Sequence, residues 1–394
     1  MIDKSIAIIG AGIGGLSLAI TLKQAGFNNI QIFERTSSSH SIGAGLVLWP
    51  NAMCILSKMG LDDEIQEVSG KLSSMIRFSN SGEQLGALSI EKLDAKMGFT
   101  SHPITRKAIQ EILIQKLTEL EIEITYSKNV EEIEKDSNSI PYIKFSDGKT
   151  HSAEIIIGAD GRMKSSARKY VTGNNTPIYQ NYVNWVGLIE HKEMDINTTK
   201  SVHDYWGIGE RFGFVPVDSK TAYWAGCKRL PLGLGEPSHG NKKELIQIFK
   251  HWPTPILEII KTTAEENIKR IEVFDHHPIN TWFLDNVCLL GDAAHAALPT
   301  SGQGACQAIE DAWHLAQCLS EPSITVSDAF EAYQTIRLEK ANSIILGGRA
   351  FAQSLFNEDA VFCEARNENA KKADMNAQVD GMANLWGKNL PPMN

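Results

Sequence analysis

Three short glycine-bearing stretches hold the residues best suited to chemistry. The first, Gly10-Ala11-Gly12-Ile13-Gly14-Gly15, carries glycines in the G-x-G-x-x-G spacing. Residues 4–9 before it read as a buried strand, and residues 14–25 after it as a helix that Gly26 ends. At such a junction Gly10 makes the tight turn, Gly12 lets backbone approach a pyrophosphate, and Gly15 lets helix and strand pack closely. The free N–H groups and partial positive charge of the helix start suit phosphate oxygens. Glu34 follows about 20 residues later, at the end of a second strand, where a carboxylate accepts from a ribose diol. An acid there favours a free 2′-hydroxyl over a 2′-phosphate and leaves NAD and FAD both open.

The other two stretches separate those two cofactors. One is Gly158-Ala159-Asp160-Gly161 at a strand end; the other runs from Gly291-Asp292 through Pro299, Gly302 and Gly304. An aspartate before a glycine-rich helix entry can hold a ribityl hydroxyl. The N–H groups near Gly302 to Ala305 can stabilise negative charge on an isoalloxazine ring. What is missing points the same way. There is no C-x-x-C pair among the six cysteines, no Ser-His-Asp signature, and no metal-ligand spacing around His276-His277. A second G-x-G-x-x-G after a strand, which a two-dinucleotide reductase needs, is also lacking.

The elements that must position these loops follow from periodicity. Residues 72–89 read as short strands around Asn80-Ser81-Gly82, residues 106–120 as a helix, and 154–157 and 287–290 as buried strands. The region 176–280 is rich in aromatic and β-branched residues. In it Phe212–Val217 and Thr221–Cys227 flank Asp218-Ser219-Lys220 as a hairpin. A long helix is expected from near Gln303. The expected fold is therefore α/β: a Rossmann-type FAD-binding domain (1–71, 101–175 and 281–350) with an inserted, mostly antiparallel β-sheet substrate domain (72–100 and 176–280), and C-terminal helices over 351–394. The length of 394 residues suits two domains. A net charge of −9 argues against nucleic acid as partner. No run approaches the roughly 20 apolar residues that span a bilayer. A cytoplasmic protein with reduced thiols is expected.

Taken in order, Gly10–Gly15 with Glu34, Asp160-Gly161 and Gly291-Asp292, together with IGAGLVLWPNAMCILSKMGL (42–61) and HPITRKAIQEIL (102–113), resemble class A flavoprotein aromatic hydroxylases. This is the p-hydroxybenzoate hydroxylase-like family, which includes salicylate and urate hydroxylases. The resemblance spans roughly residues 5–350. It implies FAD as cofactor and NADH or NADPH as co-substrate. Gly10, Gly12, Ile13, Gly14, Gly15, Glu34 and Arg35 then match the adenosine-diphosphate end, with Gly45 and Leu46 also on the cofactor. Arg106 matches an arginine that reaches the phosphates, and Val130 a backbone contact to the adenine. Asp160 and Gly161 match a motif used for both FAD and reduced nicotinamide. Asp292 matches the ribityl contact; Pro299, Gly302, Gln303, Gly304 and Ala305 match the loop beside the ring. The implied chemistry is hydride transfer to FAD, formation of a flavin hydroperoxide with molecular oxygen, and transfer of one oxygen atom to an electron-rich aromatic.

The substrate is then expected between the ring and the antiparallel layer, against Leu48, Trp185, Trp206, Phe212, Phe214, Tyr223, Trp224 and Pro299. Leu48, Trp206, Phe214, Tyr223 and Trp224 are the substrate contacts; Arg211, Tyr223 and Pro299 are the catalytic candidates. Strand register decides which of these face the pocket. His295 reads as loop support and Glu310-Asp311 as a brace. A larger polycyclic or alkene substrate, an oxidase or reductase without oxygen insertion, and a FAD-binding protein without catalysis all remain alternatives. Monomer and homodimer are both open. The segment after Phe356 departs most from the family pattern.

Overall fold

Three adjacent parallel strands deliver the three glycine stretches to one edge. Ile6–Ile9, Ile155–Gly158 and Val287–Leu289 lie side by side, with Ile9 level with Gly158, and Gly158 with Leu289. The computed structural model describes residues 1–38, 44–190 and 200–392. Residues 39–43, 191–199 and 393–394, which belong partly to the segments 42–61, 176–280 and 351–394 above, lie outside the described residues. All four residues of Ile6–Ile9 are buried, as a strand with both faces covered requires. The full order is Phe283–Leu284, Val287–Leu289, Ile155–Gly158, Ile6–Ile9, Ile30–Phe33, Ile124–Thr125. Only the first pair is antiparallel. After Ile6–Ile9 the chain adds Ile30–Phe33 on one side and later Ile155–Gly158 on the other. That reversal of strand order opens a crevice at the carboxyl ends.

Helices Ile13–Gln24 and Gly304–Ser320 pack together on one face of this sheet. The Thr21 hydroxyl donates to the Ala312 carbonyl at 3.1 Å. A Cβ at Gly14 would sit 2.7 Å from the end of the Leu290 side chain and 3.1 Å from the Ala308 Cβ, so glycine lets the two pack without adjustment.

A seven-stranded sheet stands over the crevice. Its order is Lys269–Asp275, Ile178–Glu190, Thr221–Arg229, Glu210–Pro216, Ser201–Trp206, Ser74–Ser79, Gln84–Ser89. It is antiparallel except where Ser201–Trp206 meets Ser74–Ser79. Helices Asn241–Phe249 and Thr254–Thr262 seal its outer face over Trp185, Phe212 and Trp224. The inner face looks onto the crevice.

Residues 130–151 form a three-stranded antiparallel sheet that the periodicity did not announce, because its alternating Glu and Lys side chains are half exposed. The polar tail after Asn357 is two helices. Ala360–Lys372 is capped by Asp359, and Met375–Gly387 by Asp374. The tail is docked: Met375 sits on Gly86 and Lys92 donates to Asn376. Among the described residues no helix is long and apolar enough to cross a membrane. Among the described residues no His, Cys, Asp and Glu cluster could hold a metal.

Candidate active site

Two adjoining cavities fill the crevice, one of about 600 Å³ and one of about 260 Å³. Gly12, Ile13, Arg106 and Gly161 border both. The smaller holds Gly10, Glu34, Arg35, Val130 and Asp160 as well. Gly14, Gly45, Leu46, Asp292, Pro299, Gly302, Gln303, Gly304 and Ala305 line the larger.

The glycine loop divides its tasks by position. Gly10 has φ +107°, and a Cβ there would lie 2.4 Å from the Ala159 carbonyl. At Gly15 it would lie 2.1 Å from the Gly10 carbonyl. Both glycines serve packing. Gly12 has ordinary extended backbone, and a Cβ there would meet nothing within 4 Å. It caps the helix without a side chain, so the first turn's amides face open space. Glu34 is fixed against the loop, accepting from Ala11 N–H and from Thr36 N–H and Oγ1, each at 2.9 Å. The Arg106 guanidinium has no hydrogen-bond partner among the described residues. Bare amides, an open glycine, a pre-set carboxylate and an unpartnered guanidinium fit the adenosine-diphosphate part of FAD.

The second stretch borders the smaller cavity and is braced from within. The Asp160 carboxylate accepts from Ser165 Oγ at 2.6 Å and Ala167 N–H at 3.2 Å, tying the turn to helix Ser166–Thr172, which Ser165 caps. Burial pushes its carboxyl up to about 6 against those hydrogen bonds. Asp160 therefore braces the turn, and Gly161 is the member of the pair that borders both cavities. The Val130 carbonyl is taken by Ser166 Oγ at 3.1 Å.

Asp292 has a partner the sequence reading missed. Arg162 donates to Asp292 Oδ2 from Nε at 3.0 Å and Nη2 at 2.7 Å. Its Nη1 reaches the Phe274 and Ala297 carbonyls. Burial works to raise the Asp292 carboxyl, but the Arg162 guanidinium outweighs it and holds the group low. Oδ1 is left without a donor among the described residues, ready for a hydroxyl. The only sequence signal was a guanidinium directly after Asp160-Gly161.

The ring-side loop rests on a buried charge cluster. Trp49 Nε1 donates to the Gly302 carbonyl at 2.9 Å. Asn51 bridges Gln303 and Glu310 at 2.9 and 2.6 Å. Asp311 receives Gly291 N–H at 2.9 Å, and bonds to His295. His295 and Glu310-Asp311 thus lie behind the loop and not in the cavity.

The strand layer decides the remaining candidates. Arg211 is opposite Cys227 and Val215 opposite Tyr223, so Arg211 and Tyr223 share the inner face. Both line the larger cavity, and Arg211 Nε is held by Asp204 Oδ1 at 2.6 Å. The aromatic wall is corrected. Trp185, Phe212 and Trp224 face outward beneath the two helices; Trp224 Nε1 donates to Thr263 Oγ1 at 2.9 Å. Leu48 is fully buried in the central core. Trp206 stands behind the cavity, donating to Asp204 at 2.8 Å. Phe214 borders the cavity, but its ring stacks on His203 at 4.6 Å. Alternation on a strand places neighbouring aromatics on opposite faces, and composition does not reveal the phase.

The tail supplies a wall no motif announced. Phe351, Met382 and Trp386 line the larger cavity. The Trp386 ring packs 5.2 Å from Trp49, which itself holds Gly302. Trp386→Ala is expected to cost about 3 kcal/mol, the usual range for removing a buried large aromatic, and to speed FAD release. Urea unfolding and the rate of flavin loss on dilution check both.

The comparisons agree with this geometry. A family model described as FAD binding domain matches residues 3–346. Aurachin C monooxygenase/isomerase of Stigmatella aurantiaca is 31% identical over 364 residues, covering 92% of this chain and 93% of its own. FAD-dependent urate hydroxylase of Mycolicibacterium vanbaalenii is 32% identical over 350 residues, 87% of each chain. The crystal structure of Klebsiella pneumoniae HpxO complexed with FAD and uric acid matches with TM-score 0.88 at 28% identity, over 98% of this chain and 97% of that one.

Proposed function

Because the chain belongs to the FAD-binding-domain family and is a FAD-dependent monooxygenase of the class A aromatic hydroxylase type, we propose that it hydroxylates a heteroaromatic small molecule with NADH or NADPH as reductant and molecular oxygen as co-substrate. The observation that carries the reading is the juxtaposition of a FAD-fitting crevice with the Arg211–Asp204 pair and Tyr223 on the facing sheet. Bound FAD supplies hydride acceptance and oxygen-atom transfer. The chain's own residues do the rest.

Glu34, the Gly12 loop and Arg106 hold the adenosine diphosphate, and Asp292, fixed by Arg162, takes a ribityl hydroxyl. Amides from Gly302 to Ala305 stabilise negative charge at the ring edge. Arg211, immobilised by Asp204, orients the substrate and favours negative charge on it. Burial keeps the Tyr223 phenol well above its ordinary value, so Tyr223 stays protonated and donates a hydrogen bond. Leu46, Val47, Leu298 and Pro299 keep water out.

The test is NADH or NADPH oxidation by the FAD-loaded protein in the presence of aromatic acids, purines and quinolones, under labelled oxygen gas. One labelled atom should enter the product. Reductant consumption matched by hydrogen peroxide with no labelled product would reduce the protein to an oxidase. In the same assay Arg211→Ala should raise KM about ten- to a hundredfold, the range of a charge-assisted hydrogen bond, with FAD content unchanged.

A further inference from the structure

Charge balance inside the larger cavity is uneven. Four guanidinium groups line it, those of Arg77, Arg106, Arg162 and Arg211, against two carboxylates, Asp204 and Asp292. Two pairs form: Arg162 with Asp292 at 2.7 Å and Arg211 with Asp204 at 2.6 Å. Arg106 and Arg77 are left without a carboxylate partner among the described residues. Arg106 borders both cavities beside the glycine loop, where a diphosphate would neutralise it. Arg77 lies at the opposite end, on strand Ser74–Ser79 of the facing sheet, and borders the larger cavity alone.

Arg77 is held as a built recognition element. Its Nη1 donates to Gln378 Oε1 at 2.8 Å, and its guanidinium lies over the Trp206 ring at 5.5 Å. Its Nε is buried with no partner. Tyr182, on the same cavity wall, also has a buried hydroxyl with no partner. Asp204 is near enough to act on Arg77 but is bonded to Arg211, so one carboxylate serves two cations. A desolvated cation without a counter-charge is unfavourable until an anion reaches it.

We propose that Arg77 is the anion-recognising residue of the substrate site, and that the substrate is a heteroaromatic or aromatic molecule carrying negative charge, as a carboxylate or an ionised ring oxygen. The proposal rests on the hydroxylase reading and narrows it. Gln378 is the positioning residue, so helix Met375–Gly387 takes part in substrate selection.

The experiment titrates the bound-flavin absorbance of the FAD-loaded protein with matched probes: salicylate against salicylamide, and anthranilate against anthranilamide. The anion of each pair should bind about ten- to a hundredfold more tightly. Arg77→Gln should cut that preference severalfold, Arg211 keeping the remainder, while FAD content stays unchanged. Arg77→Lys should restore part of it, and Gln378→Ala should weaken it severalfold. Equal affinity for anion and amide in the wild type, or a preference in Arg77→Gln as large as in the wild type, overturns the proposal. The two readings fail separately. A neutral compound hydroxylated as well as its anion removes the charge requirement alone; anions that bind through Arg77 but never gain labelled oxygen remove the hydroxylase reading alone.

Discussion

Gly12→Val is expected to yield a folded protein that cannot hold FAD. Gly12 has φ −77° and ψ 176°, a conformation open to any residue, and a Cβ there would touch no protein atom within 4 Å. The Cβ therefore meets no native packing, and the side chain enters the space beside the first-turn amides. A diphosphate needs that space and those amides together. The expected loss of FAD affinity is about a thousandfold or more, on the order of 4 kcal/mol. Gel filtration followed by flavin absorbance should show a colourless protein, with circular dichroism and apoprotein melting close to wild type. A yellow variant with stoichiometric flavin would show that the diphosphate lies elsewhere. Gly10→Val is the contrasting case. Positive φ and the 2.4 Å approach to the Ala159 carbonyl make it a folding defect first.

The contrast between these glycines was present in the spacing, because each glycine of the pattern has its own steric reason. The same holds for Glu34 and for the delivery of all three stretches to one sheet edge. What spacing could not convey was the phase of the antiparallel strands. Tyr223 and Trp224 are consecutive, yet one borders the cavity and the other is sealed under Thr254–Thr262. Which faces inward depends on pairing with Ile178–Glu190 and Glu210–Pro216, a long-range property. Arg77 and Trp386 were hidden for a related reason. They reach the cavity from the strand next to the sheet edge and from a polar helix, both far in sequence from any cofactor motif. Polar periodicity marks such a helix as surface, and only its docking on Gln84–Ser89 turns Met382 and Trp386 inward.

The second large effect concerns the charges behind the ring-side loop. Arg337 is wholly buried and bonds to Asp311 at 2.7 Å, to Glu310, and to the Gln307 side chain at 2.6 Å. Lys340 adds a bond to Glu310 at 2.7 Å and holds the Trp386 and Lys388 carbonyls. One cluster therefore anchors Gly291, the Gln303 loop and the tail helix. Arg337→Leu leaves two buried carboxylates with too little positive charge, a defect that typically costs about 3–5 kcal/mol. The pH dependence has a definite sign. Burial acts to raise the Asp311 carboxyl, yet His295 and Arg337 outweigh it and hold it far below the usual range. A depressed carboxyl contributes stability in full above its unfolded pKa of about 4, and that stability drains as pH falls through the folded value. In Arg337→Leu the buried carboxyls are no longer held down, so protonation relieves the defect. The gap between wild type and variant should be widest near pH 7 and shrink towards pH 4. Urea unfolding at both pH values measures it. A variant within about 1 kcal/mol of wild type at pH 7, the median worth of an exposed pair, would mean that the cluster is solvated in solution and that the loop is held by packing alone.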